Sequence, residues 1–162
     1  MLIPRLISRN IFEDPRGYFS EIFNKKYLDE LGITDNFVQC NYVNSNKNSL
    51  RGLHYQERPM QQAKLLTVLH GNILDVSVHI RDGSVFVFRI KEGESIYIPD
   101  NYAHGFLSLE DSKVAYFCSN FYSPEHARGF IWNDEALNID WGIADPILSD
   151  RDKKWGRFEV KK

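Results

Sequence analysis

Hydrophobic and polar positions along most of this chain alternate in short runs with the period of two that marks a strand, and only one segment shows a helical pattern. Residues 1–8 alternate loosely and predict a first strand. Glu13-Asp14-Pro15-Arg16-Gly17 is turn chemistry, since proline fixes φ and glycine permits a positive one, and it feeds an aromatic-rich strand over residues 18–23. Residues 24–32 predict the helix, with Asn24 as its N-cap and Gly32 just past its end. Further strands are predicted over 37–43, 49–56, 63–70 and 73–81. Then come a hairpin of 85–90 with 95–99, a run over 100–108, and a strand over 114–122 that Pro124 ends. Many short strands with one helix predict an all-β sandwich or small barrel. The less regular segment from Trp132 onward predicts a cover for it. No repeat or linker interrupts the pattern, so residues 1–162 read as one domain.

Side chains of equal parity on a strand share a face, and several of the predicted faces are polar. Phe19 pairs with Glu21, Gln39 with Asn41, Asp75 with Ser77 and His79, and Tyr116 with Cys118, Asn120 and Tyr122. The simple interpretation is a sheet face that meets water. Against it, these faces carry amide, phenol and carboxylate groups rather than the Lys and Glu of a solvated face. If they line an interior, that interior is a wet, hydrogen-bonding site. Tyr116 and Tyr122 would then stand roughly 20 Å apart on one strand, a span suited to a long ligand such as a nucleotide sugar.

The stretch Arg51-Gly52-Leu53-His54-Tyr55-Gln56 sharpens this picture. A guanidinium suits phosphate and an imidazole titrates near neutral pH, so the pair points to proton chemistry on a phosphorylated molecule. Taken alone, the pair reads more simply as a solvated charge and a core histidine. Arg51 and His54 also have opposite parity. Either the strand bulges at Gly52 or Arg51 acts from the rim.

Composition narrows the classes. Of 162 residues, 43% are hydrophobic, 26% charged and 14% aromatic, ordinary for a globular domain and leaning toward sheet. Twenty basic against 22 acidic side chains give a net charge of −2, so no nucleic-acid footprint is expected. Cys40 and Cys118 lie far apart without Cys-x-x-Cys spacing, which implies neither a zinc cluster nor a disulfide framework. No apolar run is long enough for a membrane span and the N-terminus has no signal-like segment, so a cytoplasmic protein is expected.

The quoted residues resemble the dTDP-4-dehydrorhamnose 3,5-epimerase family, cupin-type jelly-roll enzymes of nucleotide-sugar metabolism. The matching pieces run in order: Asp14-Pro15-Arg16-Gly17-Tyr18-Phe19, Phe37-Val38-Gln39-Cys40-Asn41, Leu50 through Gln56, Lys64-Leu65-Leu66, Asp75-Val76, Ile98-Pro99 with Ala103-His104-Gly105-Phe106, Tyr116 through Pro124, Trp132-Asn133-Asp134, and Leu148 through Asp152. The resemblance implies a cofactor-free and metal-free epimerisation of an NDP-4-keto-6-deoxy sugar, dTDP foremost, by a homodimer. The C4 ketone acidifies the hydrogens at C3 and C5; a base removes one to give an enolate, and reprotonation on the other face inverts the centre. By position, His54 matches the base and Asp152 the carboxylate that orients it. Tyr116 matches the opposing acid, and Lys64 the cation at the enolate oxygen. Arg16, Phe19, Glu21, Gln39, Asn41, Arg51 and Tyr122 match residues that hold the nucleotide diphosphate, and Arg151 stands near that end. Asp75 and His104 match site-lining residues, with a purely structural hydrogen-bonding role left open. Residues 2–7 are the strand expected at the dimer edge.

Departures from the family pattern lie toward the nucleotide end and the pocket wall. They are His79 where an aspartate is usual, a short hairpin between Arg81 and Pro99, the segment 125–129 without an acidic residue before Gly129, and a short C-terminus. Alternatives therefore remain. One is an enzyme inverting C3 or C5 alone. Another is a sugar 3,4-ketoisomerase, which would need a His-x-His that this chain lacks. From another class comes a non-catalytic nucleotide-sugar binding module, for which an acid–base set has no use. A metal cupin would require a second histidine where Gln56 stands.

Overall fold

The structure, a computed structural model, describes residues 2–160, so Met1 of the predicted first strand lies outside the described residues. The elements are β1 (Arg5–Ile7), β2 (Ile11–Asp14), β3 (Gly17–Ser20), α1 (Lys25–Glu30), β4 (Gln39–Ser45), β5 (Leu50–Gln56), β6 (Lys64–His70), β7 (Asn72–His79), β8 (Val85–Lys91), β9 (Ser95–Ile98), β10 (Tyr102–Ser108), β11 (Ser112–Cys118) and β12 (Ala127–Gly129), with a 3-10 turn at Asp152–Lys154. Two five-stranded sheets, β1-β9-β6-β11-β4 and β12-β5-β10-β7-β8, make a jelly-roll sandwich, and β2-β3 stands apart as a hairpin. Neighbouring strands pair antiparallel throughout.

Strand alternation sorts the apolar side chains into three layers. Between the sheets, Leu66 and Val68 of β6, Ile96 and Ile98 of β9 and Val114 of β11 meet Ile73, Ile90, Tyr102 and Phe106 of the other sheet. The opposite face of the second sheet presents Leu53, Tyr55, Val76, Val78 and Leu107 to Phe130, Leu137, Trp141 and Phe158 of the C-terminal segment, which is the cover that its irregular pattern predicts. The opposite face of the first sheet presents Leu65 and Tyr97 to Ile7, Leu28 and Ile33. Leu28 is the buried residue of α1, whose cap is as predicted: the Asn24 side chain accepts from the Tyr27 N–H, and Gly32 follows at φ +74.

The first strand is shorter than predicted, β2 and β12 lie where no strand is predicted, and three further boundaries bear on the site. The strand predicted over 18–23 stops at Ser20, and that predicted over 37–43 is shifted to Gln39–Ser45. The strand predicted over 114–122 ends at Cys118. Cys118 lies opposite Gln39 and Lys64, the first residues of β4 and β6, and beyond it the ladder gives way to isolated hydrogen bonds such as Ser119 N–H to the Ala63 carbonyl. Tyr116 and Tyr122 are therefore not six strand positions apart, and the chain turns between them.

Candidate active site

A cavity of about 720 Å³ opens at one end between the sheets. One sheet contributes Gln39 and Asn41 from β4, Lys64 from β6, and Tyr116 and Cys118 from β11. The other contributes Arg51 and His54 from β5 and His104 from β10.

The parity conflict between Arg51 and His54 resolves at Gly52. Pairing runs His54 to His104 and Arg51 to Phe106, so two residues of β5 face the single Gly105 of β10. Gly52 is the extra residue, at φ +135, and a Cβ there would stand 2.4 Å from the Gly105 Cα. The bulge sends Leu53 into the covered face and returns both Arg51 and His54 to the cavity.

His54 Nε2 is hydrogen-bonded to Asp152 Oδ1, which also accepts from the Trp155 indole N–H at 3.1 Å. Burial alone would raise the Asp152 carboxyl, but the hydrogen bond and charge of His54, helped by Trp155 and Ser149, hold it below the ordinary carboxylate range. A carboxylate on Nε2 places the ring proton there and leaves the Nδ1 lone pair for a substrate hydrogen. The His54 side chain is 37% exposed and that of Asp152 5%, so the imidazole is reachable while the carboxylate is not.

Lys64 is buried among these groups, its Nζ 3.4 Å from the His54 carbonyl oxygen. Burial lowers its pKa, opposed by the nearby Cys118 and Asp75. Tyr116 faces the cavity from the other sheet. Burial raises its phenol pKa, with Cys118 adding to the rise and Arg51 and Asn41 opposing it, so the phenol is protonated at neutral pH and can act as an acid. A second pair lies deeper, where His104 Nε2 meets Asp75 Oδ2 at 2.7 Å with side-chain exposures of 8% and 0%. Burial lowers the His104 pKa despite Asp75. Asp75 does not line the cavity and reaches it only through His104.

At the mouth, Arg151 donates to the Tyr122 hydroxyl at 2.8 Å, and the Tyr122 backbone N–H donates to Gln39 Oε1, whose amide donates to Asn41. Gln39, Asn41, Tyr122 and Arg151 are thus linked along one part of the cavity wall, while Arg51 lines it beside Ser45, at the other end of β4. Arg16, Phe19 and Glu21 do not. Arg16 sits in the β2–β3 turn with its side chain 89% exposed and paired to Asp14, Phe19 is 64% exposed, and Glu21 faces a separate cavity beside α1. These three side chains sit on a hairpin that is not folded over its own cavity.

Other residues take roles that their spacing did not signal. Gln56 ties loops together: its amide N–H groups reach the carbonyls of Met60 and Phe121, and its oxygen accepts from Ser123. Among the described residues no group of three or more His, Cys, Asp or Glu is arranged to hold a metal ion. Arg128, held by Glu57 at 2.9 Å, lines the cavity without having been anticipated, and Cys118 lines it on the face it shares with Tyr116. His79 does not line the cavity and lies 2.9 Å from Asp82. Trp155 had no sequence signal beyond its place three residues after Asp152.

Comparison with known proteins agrees with this geometry. The sequence model for dTDP-4-dehydrorhamnose 3,5-epimerase matches residues 4–159. A dTDP-4-dehydrorhamnose 3,5-epimerase from Shigella flexneri is 41% identical over 157 residues, covering 91% of this chain and 87% of that protein. A crystal structure of the Bacillus anthracis dTDP-4-dehydrorhamnose 3,5-epimerase with TDP and pyrophosphate bound superposes with a TM-score of 0.91 at 36% identity, covering 95% of this chain and 93% of that one. A Legionella pneumophila dTDP-6-deoxy-D-glucose-3,5-epimerase in complex with dTDP-4-keto-L-rhamnose gives 0.90 at 38%, covering 96% and 87%. With the fold, the gathered acid–base residues and these matches in agreement, the chain belongs to the dTDP-4-dehydrorhamnose 3,5-epimerase family.

Proposed function

We propose that this chain, acting as one epimerase domain, inverts C3 and C5 of an NDP-4-keto-6-deoxy sugar carried on dTDP. The observation that carries the proposal is the placement of His54, held by Asp152 of the 3-10 turn, on one sheet and Tyr116 on the other, both facing one cavity. A planar enolate needs a base on one face and an acid on the opposite face, and groups from opposing sheets supply that arrangement. His54 Nδ1 takes the hydrogen beside the C4 ketone. Lys64 stabilises the oxygen on which charge develops, and Tyr116 returns a proton from the other side. His104, its pKa lowered by burial against the opposing pull of Asp75, lines the sugar end, while Gln39, Asn41, Arg51, Tyr122 and Arg151 hold the nucleotide diphosphate.

The same reading includes a homodimer. The β2–β3 hairpin exposes Phe12, Tyr18 and Phe19, and the N-terminal strand exposes Leu2, Ile3 and Leu6, an apolar surface suited to a second copy. In that dimer Arg16, Phe19 and Glu21 serve the nucleotide end of the partner's cavity. Cys40 and Cys118 are free thiols and no helix among the described residues is long and apolar enough to cross a membrane, both compatible with action in the cytoplasm.

The test is incubation of the dTDP-4-keto-6-deoxy sugar with enzyme in D2O, followed by NMR. Deuterium at both C3 and C5 is expected. Label at one carbon makes the enzyme a mono-epimerase, and tight binding with no label above background makes it a binding module.

A further inference from the structure

Trp155 is not among the residues that carry the family resemblance, yet it touches both halves of the site. It follows the 3-10 turn Asp152–Lys154, whose period of about three residues returns the chain to the side on which Asp152 lies. Its indole N–H donates to Asp152 Oδ1, the same oxygen that holds His54 Nε2. Its ring also meets the imidazole edge-on, with centroids 5.8 Å apart. The Arg151 guanidinium carbon stands over its face, 4.9 Å from the ring centroid.

The slot that receives the indole is built into β12. Gly129 pairs with His54 across the strand boundary. A Cβ on Gly129 would stand 2.6 Å from Trp155 Cδ2 and Cε2, so only glycine lets the indole lie this close to the strand carrying the base. The following residue is anchored in turn, since the Ile131 N–H donates to the Gly156 carbonyl at 2.9 Å.

We propose that Trp155 is a positioning residue that fixes the His54–Asp152 pair through its N–H while carrying Arg151 on its face, so that one side chain sets the geometry of the base and of the nucleotide rim together. The inference rests on His54 being the base. Its physical content is that Asp152 Oδ1 is shared. A carboxylate oxygen already accepting from the indole is pinned in place and has less charge to give the imidazole. Removing the N–H loosens the imidazole and concentrates the carboxylate's charge upon it, which favours its protonated form.

The test compares Trp155→Phe, which keeps an aromatic platform for Arg151 and removes the N–H, with Trp155→Ala, which removes both. For Trp155→Phe, kcat is expected to fall about tenfold while KM and dTDP affinity stay within about twofold. The acidic limb of the kcat/KM profile is expected to move to higher pH. Trp155→Ala adds a rise in KM. An unchanged kcat and acidic limb in Trp155→Phe would overturn the proposal, as would a loss confined to dTDP affinity. A second readout needs neither turnover nor a variant: the 15N indole resonance of Trp155 in the wild-type protein, assigned through its contact to the His54 ring. It is expected to move with the protonation of His54, while those of Trp132 and Trp141 stay flat. A Trp155 signal that ignores His54 overturns the proposal whether or not the variants fold. Deuterium uptake by substrate with the wild-type enzyme reads the epimerase assignment separately, so failure of one is not mistaken for failure of the other.

Discussion

The chain contains two histidine–carboxylate pairs whose histidines lie opposite each other in the β5–β10 pairing, yet their surroundings differ. His54 is 37% exposed at the cavity wall, and its carboxylate arrives from a turn 98 residues later in the sequence. His104 and Asp75 sit on adjacent strands, 8% and 0% exposed, with Asp75 Oδ1 left buried without a hydrogen-bond partner. The same two functional groups therefore serve different ends. A base must give and take a proton at substrate, so it needs reach and a carboxylate that stays ionised; hydrogen bonds that hold Asp152 low supply the latter. A buried pair cannot gain a net charge cheaply, and burial lowers the His104 pKa even beside Asp75. His104 is thus suited to a fixed hydrogen bond.

The comparison can be broken most sharply at the carboxylates. Asp152→Asn presents an amide to His54 and upsets its tautomer, so turnover is expected to fall by roughly 10² to 10⁴ with the fold intact by circular dichroism. Asp75→Asn is expected to cost mainly stability, about 1–3 kcal/mol in urea unfolding, with a smaller loss of turnover. Equal turnover losses would erase the distinction between the pairs. Tyr116→Phe is next. It leaves the base intact and removes the opposing acid, so net epimerisation is expected to slow about 10²-fold while initial deuterium uptake persists. Equal loss of both steps would move the acid elsewhere.

The smallest effect is one of pH. The folded-state pKa of His104 lies below its unfolded value, so its contribution to stability is present above about pH 6.5 and is lost as pH falls through the folded value. Asp152, also depressed, keeps its contribution above about pH 4 and loses it only in stronger acid. Melting temperature against pH should therefore decline first below about pH 6.5, from His104, and further below about pH 4, from Asp152. His104→Gln flattens the first step and Asp152→Asn the second. A variant that flattens the other's step contradicts the assignment.

How far the sequence foretells this site depends on what holds each residue. Lys64, Asn41 and Tyr116 point inward because alternation along regular strands places them there; period-two reading finds Asn41 and Tyr116, whereas Lys64 is singled out by the family resemblance alone. Arg51 and His54 required a bulge. Gly52 signals it, but Gly105, the close neighbour that makes Gly52 necessary, is 53 residues away and becomes its neighbour only when β10 pairs with β5. Tyr122 lies in the site although the strand predicted to carry it ends four residues earlier, because Gln39 and Arg151 hold it from a loop. Arg16, Phe19 and Glu21 show the opposite case: the family match assigns them to the nucleotide, while within one chain they lie on or just after the exposed β2–β3 hairpin, away from its cavity. Trp155 carries no periodic or motif signal. Its role depends on a slot at Gly129 that exists only once β12 lies against β5.

The most direct measurement is deuterium uptake at C3 and C5 by His54→Ala, with dTDP binding measured alongside. Exchange at both carbons should disappear while dTDP affinity stays within about tenfold, since the imidazole serves proton transfer and the rim residues hold the nucleotide. Substantial exchange remaining at either carbon would show that another group, His104 foremost, removes the hydrogen.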